Sequence, residues 1–145
     1  MDRIDCGPAS AVFDFTEDGM VDARFSGLVV PANGGTLSGL LLSASAERGA
    51  AGVLCSVEKA LIALPPIDPR HYAYVPPALR SVPVAVVVHP EQLGVYEEIV
   101  QAAATSGTIR RAFLSRELAQ EWLREQARAL VANRVWRPRG RRSSP

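Results

Sequence analysis

Val82-Pro83-Val84-Ala85-Val86-Val87-Val88 is an apolar, mostly β-branched run without period-two alternation, closed by His89-Pro90. It is too short to span a membrane. A strand that carries apolar side chains on both faces belongs inside a mostly parallel sheet, with helices covering each side. The rest of the chain is read around that strand.

Upstream the pattern changes. Ala11–Phe15 is short and apolar, Thr16-Glu17-Asp18-Gly19 is a turn signal, and from Met20 to Val30 the residues Val21, Ala23 and Phe25 alternate with Asp22, Arg24 and Ser26. Two such runs around a Gly-terminated tetrad predict a β-hairpin, and the half-polar alternation predicts that it lies at the edge of the sheet. Residues 1–10, with Gly7-Pro8, read as an irregular lead-in. After the break at Pro31–Thr36, the residues Leu37, Leu40, Leu41 and Ala44 recur at helical spacing, and Arg48-Gly49 offers a C-terminal cap. Gly52–Val57 is the next apolar strand, so strand, helix and strand form a βαβ unit with a right-handed crossover.

Glu58–Leu64 has helical propensity for about two turns before Pro65-Pro66 stops it. The proline-rich stretch 65–77 reads as a long loop, of a length that is often functional or mobile. Beyond the 82–88 strand, Pro90 and Glu91 begin a helix with Tyr96, Ile99, Val100 and Ala103 as its buried stripe, ending at Ser106-Gly107. Ile109–Leu114, interrupted by Arg110 and Arg111, is a strand nearer an edge. Ser115 caps a last helix whose apolar face is Leu118, Ala119, Trp122, Leu123 and Leu130. From Arg134 onward, arginine, proline and serine without apolar period predict a disordered basic tail, 134–145.

With 145 residues, 48% hydrophobic and 21% charged, and a net charge of +1, the chain fits one soluble domain, placed at residues 11–133. The near-neutral balance argues against a nucleic-acid surface other than the arginine tail. Two cysteines, Cys6 and Cys55, make no disulfide framework, and no apolar stretch is long enough for a signal or a membrane span. A cytoplasmic location is the resulting expectation.

Sequence motifs for phosphate loops, zinc sites, metal-binding helices and nucleophile elbows are absent, so no metal or cofactor is expected. What is left is a short set of candidates, each with a plainer alternative. His89 follows the buried strand at the end where ligand crevices of α/β sheets open, or it merely precedes Pro90. Cys55 would form a nucleophile pair with His89 if their strands are neighbours, or it is inert core. Asn33, Gly34, Gly35 and Thr36 would place free backbone N–H groups at a helix start, an anion site, or they make a turn and a cap. His71, Tyr72 and Tyr74 in the 65–77 loop would contact a partner or close over the core.

The second half of the chain resembles the STAS-like (SpoIIAA-like) bacterial domains. The likeness rests on the central strand, the amphipathic helix Glu91–Ala104, Ile109-Arg110-Arg111-Ala112-Phe113-Leu114-Ser115, and Ala119, Trp122 and Leu123 in the closing helix. Phe25-Ser26-Gly27 and the strand Val53–Val57 extend it over roughly residues 11–130. The resemblance implies an α/β domain with a mixed four- or five-stranded sheet and helices packed on it. In regulatory members a partner kinase phosphorylates a serine after the middle strand, within an aspartate-serine-serine-glycine motif. Here that place reads Leu54-Cys55-Ser56-Val57-Glu58-Lys59; Ser56 stands at a similar position and the motif is missing, so the match is to the divergent branch.

Three function classes follow. The first is a non-enzymatic regulatory or interaction module with a protein partner or a second copy of itself. The second is a small-ligand or lipid-binding domain with an apolar pocket under the 65–77 loop, and the third an enzyme using Cys55 or His89.

Overall fold

The computed structural model describes residues 1–62, 81–104, 107 and 109–135. The predicted loop 65–77, with His71, Tyr72 and Tyr74 and the pocket beneath it, lies outside the described residues, as do residues 136–145 of the tail.

The fold is α/β with a mixed sheet. The strands are β1 (Asp2–Cys6), β2 (Ala9–Phe15), β3 (Met20–Val29), β4 (Gly52–Ser56), β5 (Ala60–Ile62), β6 (Val84–Val87) and β7 (Arg110–Phe113). The helices are α1 (Pro31–Glu47), α2 (Pro90–Ala104) and α3 (Arg116–Val135). The spatial order is β1-β2-β3-β4-β6-β7, with β5 beside the far end of β3. β1, β2 and β3 pair antiparallel, while β3, β4, β6 and β7 run parallel.

Among the described residues the sheet has seven strands, where four or five were expected. Two segments account for the difference. The supposed lead-in holds β1, paired with β2 from Asp2 opposite Phe13 to Cys6 opposite Ala9. Its charges Asp2, Arg3 and Asp5 suit an outermost strand, because they discourage further pairing. Residues 60–62, expected in a short helix, instead continue along β3, pairing Gly27 with Ala60 and Val29 with Ile62. Burial of Ala60 outweighs the local helical propensity there.

The β2–β3 hairpin forms as predicted, turning at Gly19 with a φ of 80°. It is not at the edge: β3 lies between β2 and β4. Its alternation comes from one buried and one polar face. Val21, Ala23 and Phe25 join a large core with Leu37, Leu41 and Leu42 of α1, Val53 and Cys55 of β4, and Val84 and Val86 of β6. On the opposite face Leu54, Ala85 and Val87 pack with Met20 and with Ala119 and Leu123 of α3. β6 therefore contributes to both cores and is buried throughout, as its unbroken apolar pattern requires.

α1 starts at Pro31, earlier than its apolar stripe suggested. The Val30 N–H donates to Asn33 Oδ1 at 2.9 Å, and Gly34 N–H donates to the Val30 carbonyl at 2.9 Å. It ends at Gly49, φ 68°, as predicted. Leu37 and Leu41 are buried, but Leu40 is 50% exposed; Ser45 fills the buried side, its hydroxyl donating to the Leu41 carbonyl at 2.7 Å. Likewise Leu118, expected on the buried face of α3, is 58% exposed. α3 also extends to Val135, two residues into the predicted tail.

Leu41→Ala should lower the unfolding free energy by about 2–5 kcal/mol, the usual range for emptying a buried leucine site. Leu40→Ala should change it by less than about 0.5 kcal/mol. Urea unfolding of the two variants checks this, and equal losses would contradict the placement of α1.

Candidate functional site

Parallel strands bring their carboxyl ends to one side of the sheet, and the following helices begin there. At that side β4 ends in Ser56, level with Arg24 on β3, whose Cα is its register partner. Gln92 in the first turn of α2 ties the region together. Its Oε1 accepts the His89 N–H at 2.9 Å, while its Nε2 donates to the Val57 and Ala60 carbonyls at 3.2 and 3.3 Å. One side chain thus caps a helix and fixes the β4–β5 bend.

Beside this bend lies a cleft of about 230 Å3 lined by Arg24, Phe25, Ser56, Glu58, Lys59 and Arg116. Arg116 is supplied by the first turn of α3. It forms an ion pair with Asp22 of β3, and its Nη1 donates to Ser56 Oγ at 3.2 Å. Because the serine oxygen accepts from Arg116, its own O–H is free to donate into the cleft. Among the described residues, Arg24 and Lys59 make no ion pair, so three cations line this space against the single carboxylate of Glu58, Asp22 being paired with Arg116 behind it. The arrangement can hold an anionic group; it contains no activated nucleophile.

Asp22 needs Arg116 for a second reason. Its register partner on β2 is Asp14, a like charge directly opposite, which is unfavourable in an antiparallel pair. Each acid has its own cation: the chain's amino terminus lies 3.2 Å from Asp14, and Arg116 pairs with Asp22. Two turns further along α3, Arg124 reaches Asp18 at 3.7 Å. The two pairs bracket Ala119 and Leu123, so they fix the helix lengthwise over β4 and β6.

The structure separates the remaining candidates. Cys55 points into the α1-side core, and burial pushes its thiol up from 9.0 to about 12, with Arg110 opposing and Asp22 reinforcing the effect. His89 is exposed beyond the end of β6 and is not among the groups acting on that thiol. Cys55 and His89 form no pair. Asn33 is a buried cap residue whose Nδ2 donates to the Leu28 carbonyl at 3.0 Å. Gly34, Gly35 and Thr36 lie within α1, where the Gly34 N–H is already bonded, so the expected open cradle of amides is not present. No group of three or more His, Cys, Asp or Glu side chains among the described residues is placed to hold a metal, and none of the described helices is long and apolar enough to cross a membrane.

Of the sequence candidates among the described residues, Ser56 alone lines the cleft. Arg24, Lys59, Asp22 and Arg116 were not singled out by sequence reasoning. Asp22 and Arg24 read as the polar half of an alternating strand, and Arg116 as an ordinary first-turn residue. Nothing local links positions 22, 56 and 116; only the parallel order of β3 and β4, with α3 returning over them, does. A charged pair two residues apart on a strand that proves central was the available signal. No family model matches the chain, and neither curated proteins nor solved structures give a match.

Two outcomes test this description. In a double-mutant cycle, Asp22→Ala and Arg116→Ala should show a coupling of about 1 kcal/mol, since the pair is only partly shielded from water. For Cys55, the folded thiol holds its proton to higher pH than the unfolded one. Its contribution is therefore complete below the unfolded value of 9.0 and is lost as the pH rises toward about 12. Stability of the parent chain should fall more steeply across that window than stability of Cys55→Ala, and iodoacetamide at neutral pH should label Cys6 and spare Cys55.

Proposed function

We propose that this protein is a non-enzymatic interaction module of STAS-like type, lacking the usual phosphorylatable serine motif, which takes an acidic group of a protein partner at the Ser56 cleft. The observation that carries the reading is the convergence of Arg24, Lys59 and Arg116 on Ser56, with Arg116 held in place by Asp22. A pre-positioned guanidinium loses little side-chain entropy on binding a carboxylate or phosphate, and two cations that no described residue pairs add charge complementarity beside it.

A protein surface fits better than a small molecule because the cleft runs out onto exposed sheet. Arg3, Asp5, Asp14, Arg24 and Ser26, all exposed, alternate with core residues on β1, β2 and β3, while α3 packs on β4, β6 and β7. An extended segment can lie along that face with an acidic side chain in the cleft. The parallel succession of β3, β4, β6 and β7, with α1 between β3 and β4 and α2 between β6 and β7, and the position of Ser56 at the end of the middle strand, support the STAS-like part of the reading. The enzyme alternative has no support from Cys55, whose thiol is buried and protonated at neutral pH.

The test is affinity purification of the full chain from its source cells, with quantitative mass spectrometry of what accompanies it. A single protein should be recovered in near-equal amount, and Arg24→Glu with Lys59→Glu should reduce its recovery about tenfold or more while circular dichroism stays unchanged. Binding should also weaken with added salt. Recovery indifferent to charge reversal would reject the cleft as the interface. A turnover abolished by Cys55→Ala would reject the non-enzymatic reading.

A further inference from the structure

A protein partner can offer two kinds of acid, a carboxylate or a phosphorylated hydroxyl, and the Ser56 cleft does not treat them alike. Its donors come from four elements: Arg24 on β3, Ser56 at the end of β4, Lys59 in the bend before β5, and Arg116 in the first turn of α3. Arg24 and Ser56 are register partners on neighbouring parallel strands, so both side chains leave the sheet on one face. It is the α3 face, because two residues earlier on the same strands Asp22 pairs with Arg116 and Leu54 packs with Ala119 and Leu123.

Arg116 already donates through Nη1 to Ser56 and through Nη2 to Asp22. It therefore meets a further anion with what remains of its five N–H groups, not with a wholly free fork of the kind that clamps a planar carboxylate. Arg24, Lys59 and the Ser56 O–H add donors from separate elements. A carboxylate has two oxygens in one plane, whereas a phosphate monoester has three on a tetrahedron and close to two negative charges. Donors spread over four elements suit the three-oxygen head. Arg24 and Lys59 are both exposed, and no described residue pairs with either. Glu58 on the same wall opposes any anion, and a doubly charged one most.

Size narrows the ligand further. At about 230 Å3 the cleft is smaller than the roughly 300–1,000 Å3 of small-molecule sites, so it takes a head group and leaves the rest of the ligand outside. Outside it lies the exposed face of β2 and β3, with Asp14 and Ser26.

We propose, resting on the acid-binding reading of this cleft given above, that the acidic group is a phosphorylated serine or threonine side chain of the partner. Its three terminal oxygens are shared among Arg24, Lys59, Arg116 and the Ser56 hydroxyl, which accepts from Arg116 and donates to the phosphate.

The probe is a blocked pentapeptide with phosphoserine between alanines, compared with its glutamate and serine versions and with inorganic phosphate. Each is titrated into the isotope-labelled full chain and followed by amide chemical shifts. The phosphoserine peptide should move the Ser56 and Lys59 amides and bind about tenfold or more tightly than the glutamate peptide. Arg24→Gln with Lys59→Gln should abolish that preference, and Glu58→Gln should enlarge it, with circular dichroism unchanged. In cell extract, phosphatase treatment before capture should remove the same partner that charge reversal removes. Equal affinity for phosphoserine and glutamate, lost for both in the Arg24→Gln, Lys59→Gln variant, would overturn the phosphate and leave the acid-binding interface standing. A partner lost on charge reversal but indifferent to phosphatase would do the same. Peptide affinities unchanged in that variant, or no binding of either acidic peptide up to about 10 mM, would reject both readings. Inorganic phosphate bound more tightly than the phosphoserine peptide would overturn the choice of a protein side chain.

Discussion

Val84, Ala85, Val86 and Val87 feed two cores alternately, and much of the remaining architecture is a consequence of that double burial. A strand with no wet face must have strands on both sides and helices above and below it. β4 and β7 supply the first, and α1, α2 and α3 the second. Parallel neighbours then place every carboxyl end on one side, which is why Ser56, Gln92 and Arg116, distant in sequence, meet there. Geometry of the central strand sets where a site can be, while residues on flanking elements set its chemistry.

How much of this was legible in the sequence depended on whether the signal was local. Val82–Val88, the β2–β3 hairpin and the cap at Gly49 are written in neighbouring residues, and they appear as read. The placement of β3 was not, because alternation reports that one face is polar and does not say whether the strand has one neighbour or two. Asp22 and Arg24 make that face polar through a helix and a cleft rather than through open water alone. β5 failed for a similar reason: three residues with helical propensity became a strand once Ala60 had a buried place beside Gly27. At the site, Ser56 was found from its position after a strand, whereas Arg116 could not be, since its meaning lies in Asp22, which is 94 residues away in the chain.

Leu40 and Leu118 teach the complementary lesson about helices. Both belong to helical stripes at ideal spacing, yet each is half or more exposed. On α1 the buried face rotates toward Leu42 and Ser45, where a serine bonded to its own helix backbone packs as tightly as an apolar residue. On α3 the ion pairs of Arg116 with Asp22 of β3 and of Arg124 with Asp18 of the β2–β3 turn lie on the side of the helix toward β3, and Leu118 is left exposed. Periodicity predicts that a helix has an apolar face; long-range charge pairing chooses its exact direction.

The two arginines near the closing helix make the sharpest contrast in the molecule. Arg116 is half-shielded, paired with Asp22 and bonded to Ser56, so it is held still and its field is partly cancelled within the fold. Arg110 lies with its Nε sealed from solvent, against the Tyr96 phenol and the Cys55 thiol, which burial keeps protonated at physiological pH, and none of the described carboxylates is paired with it. A compensated surface cation costs the fold little and serves recognition by adding to a charged rim. An uncompensated buried one lowers stability, and apolar replacement of such groups is often stabilising.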